Sequence, residues 1–515
     1  MLLRLLLFLF LFLFLSLLIA ACQPSADSSE VDSKPDHPHI VYILADDLGW
    51  GDISAQNPES KISTPNIDQL AQEGIRFTDM HTPSSVCTPT RYGILTGEYA
   101  WRSRLKRGVL FGYDLPLIPE DKVTVADLMK RNGYYTAGVG KWHLGLPFVV
   151  REDSDYLQRH QDSITTLGTS EDVDIFKAFE IGGPTDLGFD EYYGIPASLD
   201  MAPYGYIENN GWEIPPTDSV AAEARSPDYD KGFWRGGEAS PDFDHRQVLP
   251  KITQRAVKVI EEHGQTRADQ PLFLYFPLNA PHTPWLPTEE FRGKSRAGKY
   301  GDFVVMVDDV VGQVMQALEE QGMTENTLII LTSDNGSHID HIGEQYQHAA
   351  NANWRGQKAD IHEGGHRVPF VARWPEQIPA NQTSSALGCL TDLMATAAAI
   401  TGDSLRAEVG LDSYNLLPIM LGKQQESSRE AVVHHSLDGM FSVRKGDWKL
   451  VLGRGTGGFT QPRREEVEEG EPAGQLYNLA EDPSEQNDLY AEESEKVEEL
   501  RSMLVGYKTE GRSRQ

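Results

Sequence analysis

Two polar pairs follow apolar segments that lie far apart in the chain. Asp46 and Asp47 form the first pair, and Asp334 and Asn335 form the second. Carboxylate and carboxamide oxygens are the ligands that Ca²⁺ and Mg²⁺ prefer in proteins. Each pair also has an ordinary structural interpretation, as a helix cap for the first and a turn for the second. If the two apolar segments are neighbouring strands, the four side chains could hold one divalent cation.

A cysteine lies in a segment with no evident structural purpose. Cys87 begins a Cys-x-Pro-x-Arg pattern that ends at Arg91 and is followed by Gly-Ile-Leu-Thr-Gly at 93–97. The chain has three cysteines, so it offers no disulfide framework. Cys389, in an apolar stretch, is interpreted as a small buried hydrophobic residue. A Cys87–Cys389 disulfide is the alternative to a chemical role for Cys87.

The elements expected to position these residues alternate between strands and helices. Short apolar runs predict buried strands over 40–44, 135–139, 272–277 and 327–332. Amphipathic periodicity predicts helices over 66–73, 123–131, 249–263 and 302–320. This order predicts an α/β fold with a mostly parallel sheet covered by helices on both faces. Functional groups in such folds gather at the carboxyl ends of the strands, where both polar pairs are placed.

The length of 515 residues predicts a large catalytic domain, 39–424, and a smaller C-terminal subdomain, 425–515. Within the large domain, 147–246 is rich in Asp, Gly, Pro and aromatic residues and shows little periodicity. We interpret it as a loop-rich insertion of the kind that shapes substrate sites. Short apolar runs in the subdomain predict a small antiparallel sheet with strands over 431–435, 441–443 and 448–452. A charged helix over 494–507 is expected to pack against that sheet.

The first residues indicate export. A short basic start precedes an apolar run over 5–21, and small residues precede Cys22. This pattern predicts a lipoprotein signal peptide over 1–22, lipidation of Cys22, and a flexible tether over 23–38. A plain signal peptide or a membrane anchor helix is the alternative. The lipoprotein interpretation places the protein in the periplasm or at the outer membrane of a bacterium, in contact with the membrane through the lipid anchor alone.

The charge of the chain argues against a nucleic-acid partner. Lys and Arg number 46 against 77 Asp and Glu, which gives a formal net charge of −31. Such a surface repels nucleic acid and other polyanions at long range. An anionic substrate would therefore need a local region of positive charge.

The segment from Cys87 to Arg91, with Leu-Thr-Gly at 95–97, resembles the signature of type I sulfatases, in which the cysteine is oxidised to formylglycine (3-oxoalanine). That family commonly has Ser where this chain has Thr90. Further similar segments follow in the family's order, at 66–71, 140–145, 281–284, 333–336, 358, 363–369 and 476–479. The resemblance implies an alkaline-phosphatase-like fold, hydrolysis of sulfate esters, and maturation by a formylglycine-generating enzyme.

The resemblance also implies a metal centre. One Ca²⁺, with Mg²⁺ as the alternative, would be held by Asp46, Asp47, Cys87, Asp334 and Asn335. The hydrated aldehyde made from Cys87 would attack sulfur and form a covalent sulfate intermediate. Its second hydroxyl would then lose a proton, so that the aldehyde re-forms and sulfate departs.

Five further residues receive roles from the resemblance. Arg91 would orient the formylglycine, and Lys141 and Lys358 would neutralise sulfate oxygens. His282 would protonate the leaving oxygen, and His143 would remove the second hydroxyl proton. Each has an ordinary alternative, such as a loop cap for a histidine or coverage of apolar surface for a lysine.

The substrate is expected to be a sulfated polysaccharide or oligosaccharide. The basic stretch 101–107 follows soon after Cys87, and Arg104 and Lys106 within it are tentative glycan contacts. Trp354 and Arg355, just before Lys358, are two further candidates. A solvated basic loop and a core tryptophan are the alternatives.

Two other functions stay open at this point. Formylglycine and the same cation ligands can serve a phosphate or phosphonate ester hydrolase of the same superfamily. A surface glycan-binding lipoprotein without catalysis is the second alternative. It predicts lost cation affinity or an unmodified Cys87.

Overall fold

The fold is taken from a computed structural model. It describes residues 37–162, 168–176, 182–224, 233–338 and 345–514. The predicted signal peptide, Cys22 and all but the end of the tether lie outside these residues. Within them, no helix is both long and apolar enough to cross a membrane.

A ten-stranded sheet forms the centre of the molecule. Across the sheet, the strands are Gln382–Ser384, Ile75–Phe77, Phe370–Arg373, Thr327–Ser333, His39–Ala45, Leu272–Pro277, Tyr135–Lys141, Glu191–Ile195, Ile207–Glu208 and Gly211–Trp212. The five from Thr327–Ser333 to Glu191–Ile195 are parallel to one another. Antiparallel pairs lie toward both margins. The predicted mostly parallel sheet is therefore confirmed.

The central strand His39–Ala45 shows why the sheet is covered on both faces. All seven of its residues are buried. Tyr42 and Leu44 belong to one hydrophobic core, and Val41 and Ile43 belong to another. Because side chains alternate along a strand, a strand covered on both faces reads as a continuous apolar run.

Helices supply the two covering layers. One layer contains Pro65–Gln72, Val248–Thr266 and Gly298–Glu320. The other contains Cys87–Thr96, Val125–Arg131, Leu393–Thr401 and Leu417–Met420. Short helices also occur at Tyr156–Asp162 and Glu363–His366. The four predicted helices are present, with ends that differ by up to four residues. One of them begins after Thr124, whose side chain forms a capping box with Asp127.

The C-terminal region forms a separate antiparallel sheet. Its strands are Val432–His435, Phe441–Lys445, Trp448–Val451 and Gln475–Asn478. The helix Ser494–Thr509 packs against this sheet through Leu500 and Leu504. The first three strands and the helix match the prediction. The fourth strand follows a long charged connection and was not predicted.

Small strand pairs complete the fold. They are Met80–His81 with Gly388–Cys389, Val149–Val150 with Val173–Asp174, and Asp218–Val220 with Gly237–Ala239. The last two pairs lie in the predicted loop-rich stretch 147–246, whose described residues also include the helix Tyr156–Asp162 and three strands toward one margin of the main sheet.

Three buried histidines link the C-terminal sheet to the part of the chain that carries the main sheet. The ring of His434 stacks on that of His366, with centroids 3.6 Å apart and planes 11° apart. Nδ1 of His81 lies 3.0 Å from Nδ1 of His366. The lone pair of an imidazole nitrogen lies in the ring plane. Two parallel rings at this distance cannot both direct a lone pair at one cation. We therefore interpret the three histidines as a packing contact between two parts of the fold and not as a metal site.

Charged groups around the trio are paired. Lys449 contacts Glu363 and Glu485 at 3.1 and 2.9 Å, and both Arg367 and Arg444 contact Asp79 at 2.7 Å. Burial lowers the pKa of His81 to about 4 and holds the pKa values of His366 and His434 well below their usual range. The three imidazoles are therefore neutral at neutral pH.

The packing of these three histidines is expected to contribute less to the stability of the fold in acid. A histidine with a depressed folded-state pKa takes up its proton in the unfolded state first, near pH 6.5, so stability falls as pH is lowered from about 6.5 toward 4. Replacing His434 with Phe keeps the stacked ring and removes one such group. We expect urea titrations to show a smaller loss of unfolding free energy between pH 7.5 and pH 5 in H434F than in wild type. An unchanged loss in H434F would contradict this assignment.

Candidate active site

The two polar pairs meet at the carboxyl ends of adjacent parallel strands. Asp46 and Asp47 follow His39–Ala45, and Asp334 and Asn335 follow Thr327–Ser333. The Asp334 amide donates to the carbonyl of the last residue of the neighbouring strand at 3.1 Å. All four side chains are buried. The structure thus brings together residues that lie almost 300 positions apart in the sequence.

The oxygens of this cluster suit a divalent cation. Asn335 donates from Nδ2 to Asp47 Oδ1 at 2.7 Å. Asp46 Oδ1 and Asn335 Oδ1 are buried and accept no hydrogen bond from the described residues. One ligand atom each from Asp46, Asp47, Cys87 and His282 lies within 4.8 Å of the others. Buried oxygens without donors are costly unless a cation binds them, so the residues present fit a metal centre.

Cys87 is the first residue of the Cys87–Thr96 helix and is 2% exposed. Burial raises the pKa of its thiol to about 12, so the unmodified side chain is a neutral thiol at neutral pH. One helical turn later, Arg91 projects from the same face. The helix start therefore places a candidate nucleophile and a cation side by side.

Arg91 is a fully buried guanidinium that makes three hydrogen bonds to two acceptor oxygens. It donates to Asp334 Oδ2 from Nη2 at 2.7 Å and from Nε at 3.1 Å, and from Nη1 to the Lys141 carbonyl at 3.1 Å. Its Nη2 also lies 3.5 Å from Asp46 Oδ1. Such a fork fixes the carboxylates on one side of the cluster.

Two lysines complete the charge balance. Lys141 Nζ lies 2.5 Å from Asp46 Oδ2, and Lys358 Nζ lies 2.7 and 2.9 Å from the two oxygens of Asp47. Burial acts to raise the pKa of Asp46, but Lys141 and its cationic neighbours hold it well below its usual range. With Arg91, three cations face the three carboxylates. A bound divalent cation would therefore give the site a net positive charge that suits an anion.

Both candidate histidines present one nitrogen toward the site. His143 Nε2 lies 2.8 Å from the Leu110 carbonyl, which makes Nε2 the donor and leaves Nδ1 without a partner among the described residues. His282 Nδ1 lies 2.5 Å from the Thr283 carbonyl, and its Nε2 lies 3.9 Å from Asp47 Oδ2. Burial, followed by a nearby lysine, lowers the pKa of each imidazole.

Backbone strain marks the same place. Asp47 and His143 have φ angles of 70° and 56°, in the left-handed region that residues other than glycine seldom adopt. Such conformations persist where the surrounding structure holds them and are enriched at functional sites.

A cavity of about 440 Å³ opens onto these groups. Cys87, His143, His282 and Lys358 line part of it. Other parts of its wall are formed by Arg107, Phe111, Asp200, Phe233, Arg235 and Phe459. The volume lies within the range of small-molecule sites and suits a ligand of about the size of a sulfated sugar.

The four tentative glycan contacts lie elsewhere. Arg104 donates to two backbone carbonyls at 2.7 and 3.1 Å, and Lys106 donates to another at 2.5 Å. The Arg367 guanidinium packs over the Trp354 ring, with its carbon 4.1 Å from the ring centroid. Arg355 donates to a tyrosine hydroxyl at 3.1 Å and a carbonyl at 2.6 Å. None of the four is among the described residues of the cavity wall, and these contacts hold each side chain against other parts of the protein.

Several wall residues were not identified from the sequence. Arg107 ends the basic stretch that was noticed, but charge alone does not show which of its side chains faces a cavity. Asp200 and Arg235 belong to the loop-rich stretch 147–246, whose composition indicated a substrate-shaping role without naming residues. Phe459 comes from the C-terminal region, which carried no such signal.

Comparisons with known proteins agree with this geometry. The model of the Sulfatase family matches residues 38–403. The chain is 32% identical to an N-acetylgalactosamine-6-O-sulfatase of Bacteroides thetaiotaomicron, over 92% of this chain and 93% of that protein. It is 30% identical to human arylsulfatase A, over 88% of this chain and 83% of that protein.

Solved structures show the same relationship. A structure from a study of the metabolism of multiple glycosaminoglycans by Bacteroides thetaiotaomicron matches with a TM-score of 0.78 and 31% identity. The match covers 92% of this chain and 99% of that one. A sulfatase from Pseudoalteromonas sp. matches with a TM-score of 0.70 and 25% identity, over 92% and 90% of the two chains. The chain therefore belongs to the sulfatase family and is a sulfatase.

Proposed function

We propose that this sulfatase removes sulfate from sulfated glycans, with Cys87 in its formylglycine form as the nucleophile. The observation that carries the proposal is the position of Cys87. It lines the cavity together with Lys358, beside Arg91 and the buried carboxylates. Maturation by a formylglycine-generating enzyme is part of the proposal, since a neutral buried thiol is a poor nucleophile.

The cation of this site is proposed to be Ca²⁺, with Mg²⁺ as the alternative. Asp46, Asp47, Asp334 and Asn335 would hold it, together with the modified Cys87. When bound, the cation supplies positive charge that polarises a sulfate oxygen and favours the ionised nucleophile. The oxygen-rich ligand set and the two buried oxygens without donors support this assignment.

The chain's own cations would bind and orient the reacting group. Lys358, in the cavity wall, would contact a sulfate oxygen, and Lys141 would add positive charge from beneath. Arg91 would hold the nucleophile and Asp334 in place through its fork. Fixed cations aimed at the charge that develops in the transition state are strongly stabilising in a buried site.

The histidines would move protons at opposite sides of the reaction. His143 is a neutral imidazole whose Nδ1 has no partner in the described part of the chain, which suits removal of a proton from the formylglycine group. His282 Nδ1 donates to the Thr283 carbonyl, so in the protonated imidazolium Nε2 is the atom that would deliver a proton to the leaving oxygen.

The leaving-group role of His282 predicts a substrate-dependent loss. We expect His282→Gln to lower kcat/KM about 100-fold on a sugar sulfate, whose alkoxide must be protonated as it leaves. On 4-nitrophenyl sulfate the loss should stay below about tenfold, because a nitrophenolate departs without a proton. Parallel kinetics on the two substrates check this, and equal losses would rule out the general-acid role.

The substrate is proposed to be a sulfated aminosugar at the end of a glycan chain. A relative covering most of the chain is an N-acetylgalactosamine-6-O-sulfatase, and a matching structure comes from work on glycosaminoglycans. A cavity that takes about one sugar ring supports action on a terminal residue. Export as a lipoprotein, with lipid on Cys22, would give the enzyme access to extracellular glycans.

Inorganic sulfate release tests the proposal. The full chain would be coexpressed with a formylglycine-generating enzyme and incubated with N-acetylgalactosamine 6-sulfate, N-acetylglucosamine 6-sulfate and 4-nitrophenyl sulfate. We expect release from at least one sugar sulfate. Release from the aryl sulfate alone would overturn the glycan assignment, and release of phosphate from matched phosphate esters at a higher rate would overturn the sulfate assignment.

A further inference from the structure

The cationic side chains of the cavity wall differ in how they are neutralised. Lys358 is paired with Asp47. Arg235 forms an ion pair with Asp200, and its guanidinium packs over the Phe111 ring at 5.0 Å. Arg107 is exposed and forms no ion pair with any described residue. Of the lysines and arginines in the described wall, Arg107 is thus the one without a carboxylate.

The position of Arg107 in the wall is defined by its neighbours. The Gly108 amide donates to the Leu437 carbonyl at 2.8 Å, which ties this segment to another wall residue. The preceding residue, Lys106, is also exposed, but its ammonium donates to the Trp101 carbonyl at 2.5 Å and is not in the described wall. Two adjacent cations therefore face different surroundings.

Arg107 keeps a guanidinium without an ion pair among the described residues, although the molecule is strongly acidic. The formal net charge is −31, so carboxylates are abundant on its surface. At the reacting centre, the charges of Arg91, Lys141 and Lys358 are already matched by carboxylates. The sulfate that is cleaved belongs to that centre, so Arg107 provides charge at a second place in the same cavity.

We propose that Arg107 binds a second anionic group on the saccharide, a sulfate or a carboxylate, in addition to the sulfate ester that is cleaved. This inference rests on the proposed glycan sulfatase function. A guanidinium can bind either group through two parallel charge-assisted hydrogen bonds, and a sulfated sugar of a glycosaminoglycan-like chain offers both. Arg107 is then a specificity-determining residue, and the preferred substrate is dianionic.

The test measures how removing the charge of Arg107 changes activity on three substrates. Arg107→Gln and wild type would be assayed on N-acetylgalactosamine 6-sulfate, on the 4,6-disulfate, and on the 6-sulfated disaccharide that carries a hexuronate. We expect R107Q to lower kcat/KM about tenfold or more on a dianionic substrate, and less than about threefold on the monosulfated sugar. A loss of kcat/KM that is confined to the disulfate identifies the second group as a sulfate. A loss that is confined to the disaccharide identifies it as the carboxylate.

Lys106→Gln is the matched control, because it removes the same charge from the adjacent residue. We expect it to change kcat/KM less than about threefold on all substrates. Arg107→Lys should recover part of the loss, since it keeps the charge without the planar fork. Equal effects of R107Q on monoanionic and dianionic substrates, or equal effects of R107Q and K106Q, would overturn the inference.

The inference can fail separately from the proposed function. Sulfate release from the monosulfated sugar by wild type establishes the function whatever Arg107 does. If no substrate is cleaved, calorimetric binding of the same saccharides to the Cys87→Ser chain and to its R107Q derivative still tests Arg107. Tighter binding of the dianionic sugars that disappears in R107Q supports the inference, and equal affinities contradict it.

Discussion

Replacing Asp46 with Asn is expected to lower kcat/KM for sulfate release by roughly 1,000-fold and to remove most of the stabilisation by Ca²⁺. The carboxylate has two separate tasks in the structure. Its Oδ1 is buried, accepts no hydrogen bond from the residues that the structure describes and is available to a cation, while its Oδ2 lies 2.5 Å from Lys141 Nζ. The substitution removes the negative charge that the two oxygens share. A cation would therefore lose a charged ligand, and the Lys141 ammonium would lose its carboxylate partner.

Activity and cation binding should change together in this variant. Steady-state kinetics give the first quantity, and the Ca²⁺-induced rise of the unfolding midpoint gives the second. Asp403→Asn is the matched control, since Asp403 is paired with Arg131 at a partly exposed site outside the cavity wall. An Asp46→Asn protein that kept wild-type activity or the full Ca²⁺ response would show that Asp46 is not a ligand.

Replacing Lys358 with Met is expected to lower kcat/KM by about 100-fold, with most of the change in kcat. Lys358 lines the cavity and lies 2.7 Å from Asp47, so its charge stands at the point where a sulfate oxygen would enter. Methionine fills similar volume without charge. The loss should therefore reflect missing stabilisation of the transferring group rather than a cavity.

Lys122→Met is the control for this prediction, because Lys122 is paired with Glu98 outside the described cavity wall. Its kcat and KM should stay within about twofold of wild type. If Lys358→Met raised KM and left kcat unchanged, Lys358 would contribute uniform binding and not transition-state stabilisation.

Much of the fold could be predicted from periodicity. The strands His39–Ala45 and Thr327–Ser333 are buried on both faces, so they appear in the sequence as unbroken apolar runs. The long helices Val248–Thr266 and Gly298–Glu320 each bury one face and show the corresponding spacing. Strands and helices whose faces are each either buried or exposed along their whole length can be predicted from a single sequence.

The helix that carries Cys87 could not be predicted in this way. All ten residues of Cys87–Thr96 are buried, so no polar face produces a helical period. It also contains Pro89, Thr90 and Gly93, which are weak helix formers. The position of Cys87 at its first turn depends on packing against the rest of the domain.

The residues at the centre of the site could be predicted from the sequence, whereas those of the surrounding cavity wall could not. Asp46, Asp47, Asp334 and Asn335 follow strands, and the order of parallel strands brings them together. The wall of the cavity is built from loops distant in sequence, and its composition does not encode which side chains turn inward. Arg104 and Arg107 differ by three positions in one basic stretch, yet only Arg107 is among the described wall residues.

Sulfate ester hydrolysis by this chain is proposed to depend on oxidised Cys87. The most direct measurement compares the initial rate of sulfate release with the fraction of chains that carry formylglycine at Cys87, determined by peptide mass spectrometry. Preparations with graded maturation and a Cys87→Ala protein would be used with Ca²⁺ in excess. We expect a rate proportional to the formylglycine fraction and no release from Cys87→Ala. A rate independent of that fraction, or release by Cys87→Ala, would contradict it.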